Sequence, residues 1–389
     1  NIRFKEFEEE WEEERLSDIA DLSKGIGISK NQLSADGEPC ILYGELYTKY
    51  KSETIKEVIS KTNIDNTKLV KSKANDVIIP CSGETAEEIA TARCVLKDDV
   101  LLGGDLNIIR LHGYDGSFMS YQLNGNRKYD IAKVAQGVSV VHLYGEHLKN
   151  IKTINPGLNE QKKIANLLSL LDDRISTQNK IIEDLKKLKS AIIEWHYGQV
   201  EKQNVCIGDL GEPFNVGNLA KEDLTETGMP CVIYGELFTT YGETISQIES
   251  HTNKVEGMIL SKKGDLLFPS STTVDAMSLI APSVINVDGV ILGGDMFGIH
   301  ITPNSNAQYL SYYFNHIAKR QLAKFAKGST IIHLHYADIE KAKLLLPSLE
   351  EQNRMANCLI SLDTKINIES IFISLLNSQK AYLLRQMFI

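Results

Sequence analysis

Hydrophobic and polar positions follow two patterns along this chain, and each pattern occurs twice. Over residues 1–155 and again over 201–346, short β-type runs such as VIIP, LLFP, SVVHL and STIIHL are separated by Gly, Asn and Asp turns. Such spacing predicts short strands in two mixed α/β globules with mainly antiparallel or mixed sheets. Residues 156–200 and 347–389 change period. Pro156 and Pro347 open each stretch, where a missing N–H costs little, and Glu160-Gln161 or Glu351-Gln352 follow in the first turn. Ile164, Leu168, Leu171, Ile175, Gln178, Ile182, Leu185, Lys189 and Ile192 then step alternately by four and three. The second stretch repeats the steps through Met355, Leu359, Leu362, Ile366, Glu369, Ile373, Leu376, Lys380 and Leu383. A seam this narrow fits a partner helix better than a domain core, and polar Gln178 and Glu369 stand where polar residues fix register. The predicted fold is α+β: two tandem globules separated by two long helices that form an antiparallel coiled coil, pseudo-twofold symmetric. At ~1.5 Å per residue each helix is roughly 60 Å long.

The doubling extends to the residues themselves. CILYGELYTKY at Cys40 returns as CVIYGELFTTY at Cys231, and VLLGGDLNIIRL (100–111) returns as VILGGDMFGIHI (290–301). ANDVIIPCSGET matches KGDLLFPSSTTV, QGVSVVHL matches KGSTIIHL, and NPGLNEQKKIANLLSLLDDRI matches LPSLEEQNRMANCLISLDTKI. Order and register hold across all five blocks, so this is a long tandem duplication and not a solenoid, whose units recur every ~20–50 residues. Four parts follow: a globule 1–155, a helix 156–200, a globule 201–346 and a helix 347–389.

Composition narrows the class. Hydrophobic residues make up 42% and charged residues 24% of 389, the profile of an ordinary globular protein with room for two or three cores. No apolar run approaches the ~20 residues that span a bilayer, so no membrane partner is expected. The acidic, interrupted opening NIRFKEFEEEWEEERL fits neither a signal peptide nor a transit peptide, and with Asn rather than Met first, a trimmed native start is an expectation. Cysteines 40, 81, 94, 206, 231 and 358 have no CxxC or zinc spacing, which points to free thiols in a reduced, cytoplasmic setting. The net charge of −9 weighs against nucleic acid as a partner, although part of it is concentrated in residues 1–15. A nucleic-acid surface needs only a local basic patch.

A search for chemistry finds no active site. There is no glycine-rich cofactor loop with an Asn/Asp-Pro-Pro-aromatic element and no G-x-x-x-x-G-K-[ST]. Gly25-Ile26-Gly27 lacks the third glycine of a dinucleotide fingerprint, and His333-x-His335 lacks a third ligand, so neither a cofactor nor a metal is expected. Asp105 and Asp295 read as the ends of Gly-Gly-Asp turns. YGEL, nearly unchanged between the repeats, reads as scaffold, because residues that read different targets should differ. The divergent segments are more informative: 81–93 against 270–281, and 121–135 against 312–326. They supply Arg93, Arg127, Lys128 and Lys133 in the first repeat, and Ser271, Thr272, Lys319, Arg320, Lys324 and Lys327 in the second. Each basic segment leads into a Gly-Ser/Thr stretch, with Ser139 or Ser329, and then a strand bearing His142 or His333. Such groups suit phosphate and base-edge contacts, and solvated helix faces are the bland alternative.

The doubled P-x-L-x-EQ-x5-L-x2-LD block, Pro156-x-Leu158 and Pro347-x-Leu349 onward, closely resembles the helical regions of specificity subunits of type I restriction–modification systems. The resemblance covers essentially the whole chain. It implies that residues 1–155 and 201–346 are target-recognition domains, each reading one half of a bipartite, asymmetric site in double-stranded DNA. It further implies that the paired helices set the unread spacer and dock methyltransferase subunits, two of them, with translocase-nuclease subunits joining for restriction. S-adenosylmethionine and ATP would then belong to the partners, leaving this chain without catalytic residues or cofactors of its own.

Overall fold

The computed structural model describes residues 2–137 and 139–388. By its packing the chain divides into two units, Asn1–Lys180 with Ser370–Ile389, and Ile181–Glu369. Each unit takes one globule together with half of each long helix.

Two five-stranded sheets build the first globule. One has the order Ala20–Lys24, Leu106–Leu111, Asp76–Pro80, Arg93–Val95 and Thr54–Ile55. Its strands pair antiparallel except at the last edge, where Cys94 meets Thr54 in parallel. The other runs Leu33–Ser34, Ser60–Thr62, Glu38–Ile41, Leu101–Leu102 and Val70–Lys71, with one parallel pairing between Leu101 and Cys40. The mixed sheets expected from the short runs are therefore present. Asp76–Pro80 is buried at every position, the mark of a strand covered on both faces. The second globule repeats both sheets in the same order, on Gly211–Asn215, Met296–Ile301, Asp265–Pro269, Ser283–Ile285 and Thr244–Ile245, and on Leu224–Thr225, Ser250–Thr252, Met229–Ile233, Ile291–Gly293 and Ile259–Leu260.

The YGEL repeat has a local cause. Glu45 and Glu236 are buried, and each carboxylate turns back to accept the backbone N–H three residues earlier, Leu42 at 3.0 Å and Ile233 at 2.9 Å. The hydroxyls of Ser60 and Ser250 donate to the same carboxylates. A buried carboxylate needs such donors, so Glu and its following Leu are scaffold. Their neighbouring tyrosines, Tyr43 and Tyr234, are exposed.

Leu158–Gln199 and Leu349–Met387 are the two long helices. Every predicted seam position is buried or half-buried: Ile164, Leu168, Leu171, Ile175, Ile182 and Leu185 on the first, and Met355, Leu359, Leu362, Ile366, Ile373 and Leu376 on the second. In the first unit Ile164 and Leu168 pack with Leu383, Leu384, Met387 and Phe388; in the second, Ile193 packs with Met355 and Leu359. These partners run in opposite directions along the two helices. The motif glutamines join helix to globule. Gln161 donates to the Pro156 carbonyl at 2.7 Å and accepts from the Asp115 N–H at 2.9 Å. Gln352 does the same with Pro347 at 3.0 Å and Asn306 at 3.0 Å. Asp115 and Asn306 in turn cap Gly116–Asn124 and Ala307–His316.

The seam lysines were the positions least suited to a hydrophobic interface, and both serve a buried ionic joint. Lys380 reaches Glu53 at 2.5 Å and Asp172 at 2.6 Å, and Tyr121 donates to Asp172 at 2.7 Å. In the second unit Lys189 reaches Asp363 at 2.6 Å and Glu243 at 3.1 Å, Tyr312 donates to Asp363 at 2.5 Å, and His316 stands 2.9 Å from Glu243. Burial pulls the Glu243 carboxyl upward, yet the hydrogen bond from His316 and the charge of Lys189 overrule it and hold it at about 2. A depressed carboxyl contributes stability that is complete above its ordinary value of 4.5 and disappears as the pH falls towards 2. Over that window Glu243 accounts for a loss on the order of 3 kcal/mol. Melting of the second unit should therefore fall more steeply in this range than in Glu243→Gln; parallel curves would show that the carboxylate gains nothing from its partners.

Candidate nucleic-acid interface

At one rim of each globule, backbone pairing gathers the divergent segments. In the first unit Ser82–Gly83 pairs with Val141–His142, and Gln136 and His142 exchange both backbone hydrogen bonds, at 2.9 and 2.7 Å, closing a tight hairpin. Gly137 takes φ +125° there, with the place of a Cβ only 2.1 Å from the Val140 carbonyl oxygen. Gly328 has the equivalent role at φ +117°, and no L side chain fits either position. In the second unit Ser271 pairs with His333 and Thr272 with Ile332. The helix Lys128–Val134 feeds directly into the first hairpin, and Lys319–Leu322 with Ala323–Phe325 feeds the second. The Cys81 N–H donates to Asp105 O at 2.7 Å, as Ser270 does to Asp295, so the Gly-Gly-Asp turn abuts the hairpin ribbon in both units. Tyr47, next to the YGEL turn, donates to Ser82 O at 3.0 Å.

Most of the residues expected from sequence come together here, though not all are free. Lys128, Lys319, Arg320 and Lys324 make no ion pair among the described residues. Asp275 is held below the ordinary carboxylate range chiefly by the Ser278 N–H, with Lys319 contributing from further away. Lys133 lies 3.7 Å from Asp130 and is otherwise solvated, while Lys327 pairs with Asp338 at 2.5 Å. Ser139 and Ser329 are exposed at the hairpin tips, beside exposed Val140 and Ile331. His142, 3.4 Å from Ser82, and His333 are half-buried, as is Thr272. Three residues are internal. Ser271 is buried, Arg127 is largely covered with Asp130 at 3.5 Å, and Arg93 donates to Tyr50 O and Ala92 O at 3.1 and 2.9 Å. Burial lowers the Arg93 guanidinium from its ordinary value, against the pull of Glu53 and Asp172.

Sequence reasoning missed other members of the rim. Lys24 lies over the Tyr144 ring at 5.4 Å, Tyr144 faces His142, and His333 faces His335 with centroids 6.1 Å apart. Tyr43 and Tyr234 stand at the YGEL turns. Their signal was available in part, because an exposed residue repeated in both units has no packing reason to be kept. Among the described residues no group of three His, Cys, Asp or Glu is placed to hold a metal, and no helix is long and apolar enough to cross a membrane.

Comparison with known proteins finds the same doubling of domains. The family model for the type I restriction modification DNA specificity domain matches twice, at residues 8–187 and 199–375. The type I restriction enzyme MjaVIII specificity subunit of Methanocaldococcus jannaschii is 26% identical over 93% of this chain and 88% of its own length. The putative type I restriction enzyme MjaX specificity subunit of the same organism is 23% identical over 94% and 89%. In fold, the chain matches the crystal structure of a type I restriction-modification S subunit from M. genitalium with a TM-score of 0.64 and 16% identity, covering 99% of this chain and 97% of that one. A chain from a structural study of type I complex assembly and conformational transition matches with a TM-score of 0.56 and 14% identity, covering 97% of each. With two matching domains across nearly its whole length, the chain belongs to the type I restriction–modification DNA specificity family.

Proposed function

We propose that this chain is the sequence-reading, non-catalytic subunit of a type I restriction–modification complex. Each globule reads one half of a bipartite, asymmetric site in double-stranded DNA. The long helices set the unread spacer and dock two methyltransferase subunits, and translocase-nuclease subunits join for restriction. S-adenosylmethionine and ATP are bound by those partners. The observation that carries this reading is the rim itself: one scaffold built twice, presenting different basic and hydroxyl side chains each time. Lys128, Lys133 and Ser139 supply one set; Thr272, Lys319, Arg320, Lys324, Lys327 and Ser329 supply the other, with His142 and His333 beneath. Phosphate contacts hold a protein on the duplex, whereas base-edge contacts choose the sequence. Arg93, Arg127 and Ser271 are left out of the reading face because their polar groups are engaged or covered within the globule. Exposed apolar residues on the long helices, Leu167 and Leu170 in the first unit and Leu188 and Trp195 in the second, support docking of protein partners there.

The test is reconstitution with the methyltransferase subunit and mapping of the methylated sites. One bipartite motif with a fixed spacer is expected. Methyl transfer or DNA cleavage by the purified chain alone would overturn the reading. Lys128→Ala and Arg320→Ala should each weaken methylation with one of two signatures. A phosphate contact lowers methylation of all sequences uniformly, and a base contact relaxes one position by ~1–3 kcal/mol. Four residues inserted after Gln178 should instead alter the spacer, since one turn adds ~5.4 Å. A changed base preference with an unchanged spacer would refute the ruler role.

A further inference from the structure

In the second unit a recess of about 430 Å³ opens beside the hairpin ribbon, between the loop 216–220, Tyr234, Gly294 and Asp295. Three side chains at its mouth, Asn218, Tyr234 and Asp295, are exposed, and none of their polar side-chain atoms makes a hydrogen bond among the described residues. The first unit places Gly27, Tyr43 and Asp105 at the equivalent positions. Tyrosine and aspartate are therefore kept in both units, while the third position differs.

Turn geometry accounts for only one of the two aspartates. Asp105 adopts φ +56°, a conformation that Asp tolerates better than most residues. Asp295 is not at positive φ; Gly294 takes that role at +90°. Asp is thus retained where the backbone does not ask for it, and it is retained unpaired. Opposite DNA, a free carboxylate repels phosphate, so it is no backbone anchor. What it can do is accept from the exocyclic amine of cytosine or adenine and repel the acceptor edges of guanine and the thymine carbonyl.

We infer that Asp295, with Asn218 and Tyr234, forms a pocket that reads an amine-bearing base edge in one half-site, and that Asp105 with Tyr43 does so in the other. Gly27 supplies no amide, and it lies so close to Gly104 that a Cβ there would come within 3.0 Å of the Gly27 Cα. Asp–Tyr is the shared element, and position 27 or 218 sets how the neighbouring base is discriminated. Both half-sites then contain an amine-bearing base at the corresponding position, followed by different surroundings.

This inference rests on the DNA-specificity reading, and its test separates the two. The full-length chain, reconstituted with the methyltransferase subunit, is supplied with a randomised DNA library, and methylated sequences are counted for wild type, Asp295→Asn, Asn218→Gly and Asp105→Asn. Asp295→Asn should reduce discrimination at one base pair of one half-site about ten- to hundredfold, leaving the other half-site unchanged. Asn218→Gly should alter preference within the same half-site, and Asp105→Asn should relax one position in the other. A wild-type complex that methylates without sequence preference would overturn the DNA-specificity reading. If wild type is specific but Asp295→Asn leaves the profile intact, or lowers methylation equally at all sequences, the base-reading role is refuted.

Discussion

Removing residues 370–389 is expected to unfold the first unit and leave the second folded. The lost segment carries Leu383, Leu384, Met387 and Phe388, which complete a core with Phe118, Tyr121, Ile164 and Leu168. Phe388 meets Phe118 with ring centroids 5.2 Å apart, and the Ile2 N–H donates to Gln386 O at 2.9 Å. Burial of each large apolar side chain stabilises by about 1.5–3 kcal/mol. Met387 and Phe388 are fully buried and Leu383 and Leu384 half-buried, and together with the Lys380 joint they reach the ~5–15 kcal/mol that a whole domain commands. The second unit keeps its own half of the helix, through Glu369. Hydrogen exchange read by mass spectrometry should show residues 12–155 losing protection and residues 203–346 keeping it. Full protection of the first globule in the shortened chain would show that its core closes without the distant segment.

That dependence marks the boundary of what the sequence reveals. The seam was legible because 4-3 spacing is a local pattern, and every predicted seam residue is shielded. The doubled sheets were legible because VIIP and LLFP mark buried strands between turns. The Glu-Leu half of YGEL is scaffold as expected, and the reason, a buried Glu bonding back to Leu42 or Ile233, needed coordinates; the exposed tyrosines of the motif have no such packing role. Partners far apart in sequence were not legible. Nothing near Lys380 announces Glu53, and nothing near Arg93 announces the Tyr50 carbonyl that engages it. In the candidate site, Lys128 and Arg320 are proposed from charge beside a turn. Asp105 and Asp295 were set aside as turn residues, because only the backbone angles separate a turn requirement at 105 from its absence at 295.

Substituting Met for Lys380 should destabilise the first unit by about 3–5 kcal/mol, the usual result of leaving buried charge without its partner. Glu53 is already strained. Burial, with Asp172 nearby, raises its carboxyl above the ordinary range even in the presence of Lys380. Burial acts on Asp172 in the same direction, but the charge and hydrogen bond of Lys380 and the Tyr121 hydroxyl outweigh it and hold that carboxyl low. Without the lysine, two carboxylates face each other in a covered site, and one must take up a proton. Lys189→Met removes the equivalent cation from the second unit, yet there His316 remains 2.9 Å from Glu243 as a hydrogen-bond donor, and Glu243 and Asp363 are less deeply covered than Glu53 and Asp172. The second loss should therefore be smaller. In the first unit a neutral Glu53→Gln, Asp172→Asn pair added to Lys380→Met should recover much of the stability, because the unpaired charge has been removed along with its partner. Denaturant unfolding followed by hydrogen exchange in each unit measures all four proteins. Equal losses from Lys380→Met and Lys189→Met would mean that the His316 hydrogen bond does not compensate for the lysine, and failure of the neutral pair to restore stability would mean that the joint matters for its shape and not for its charge.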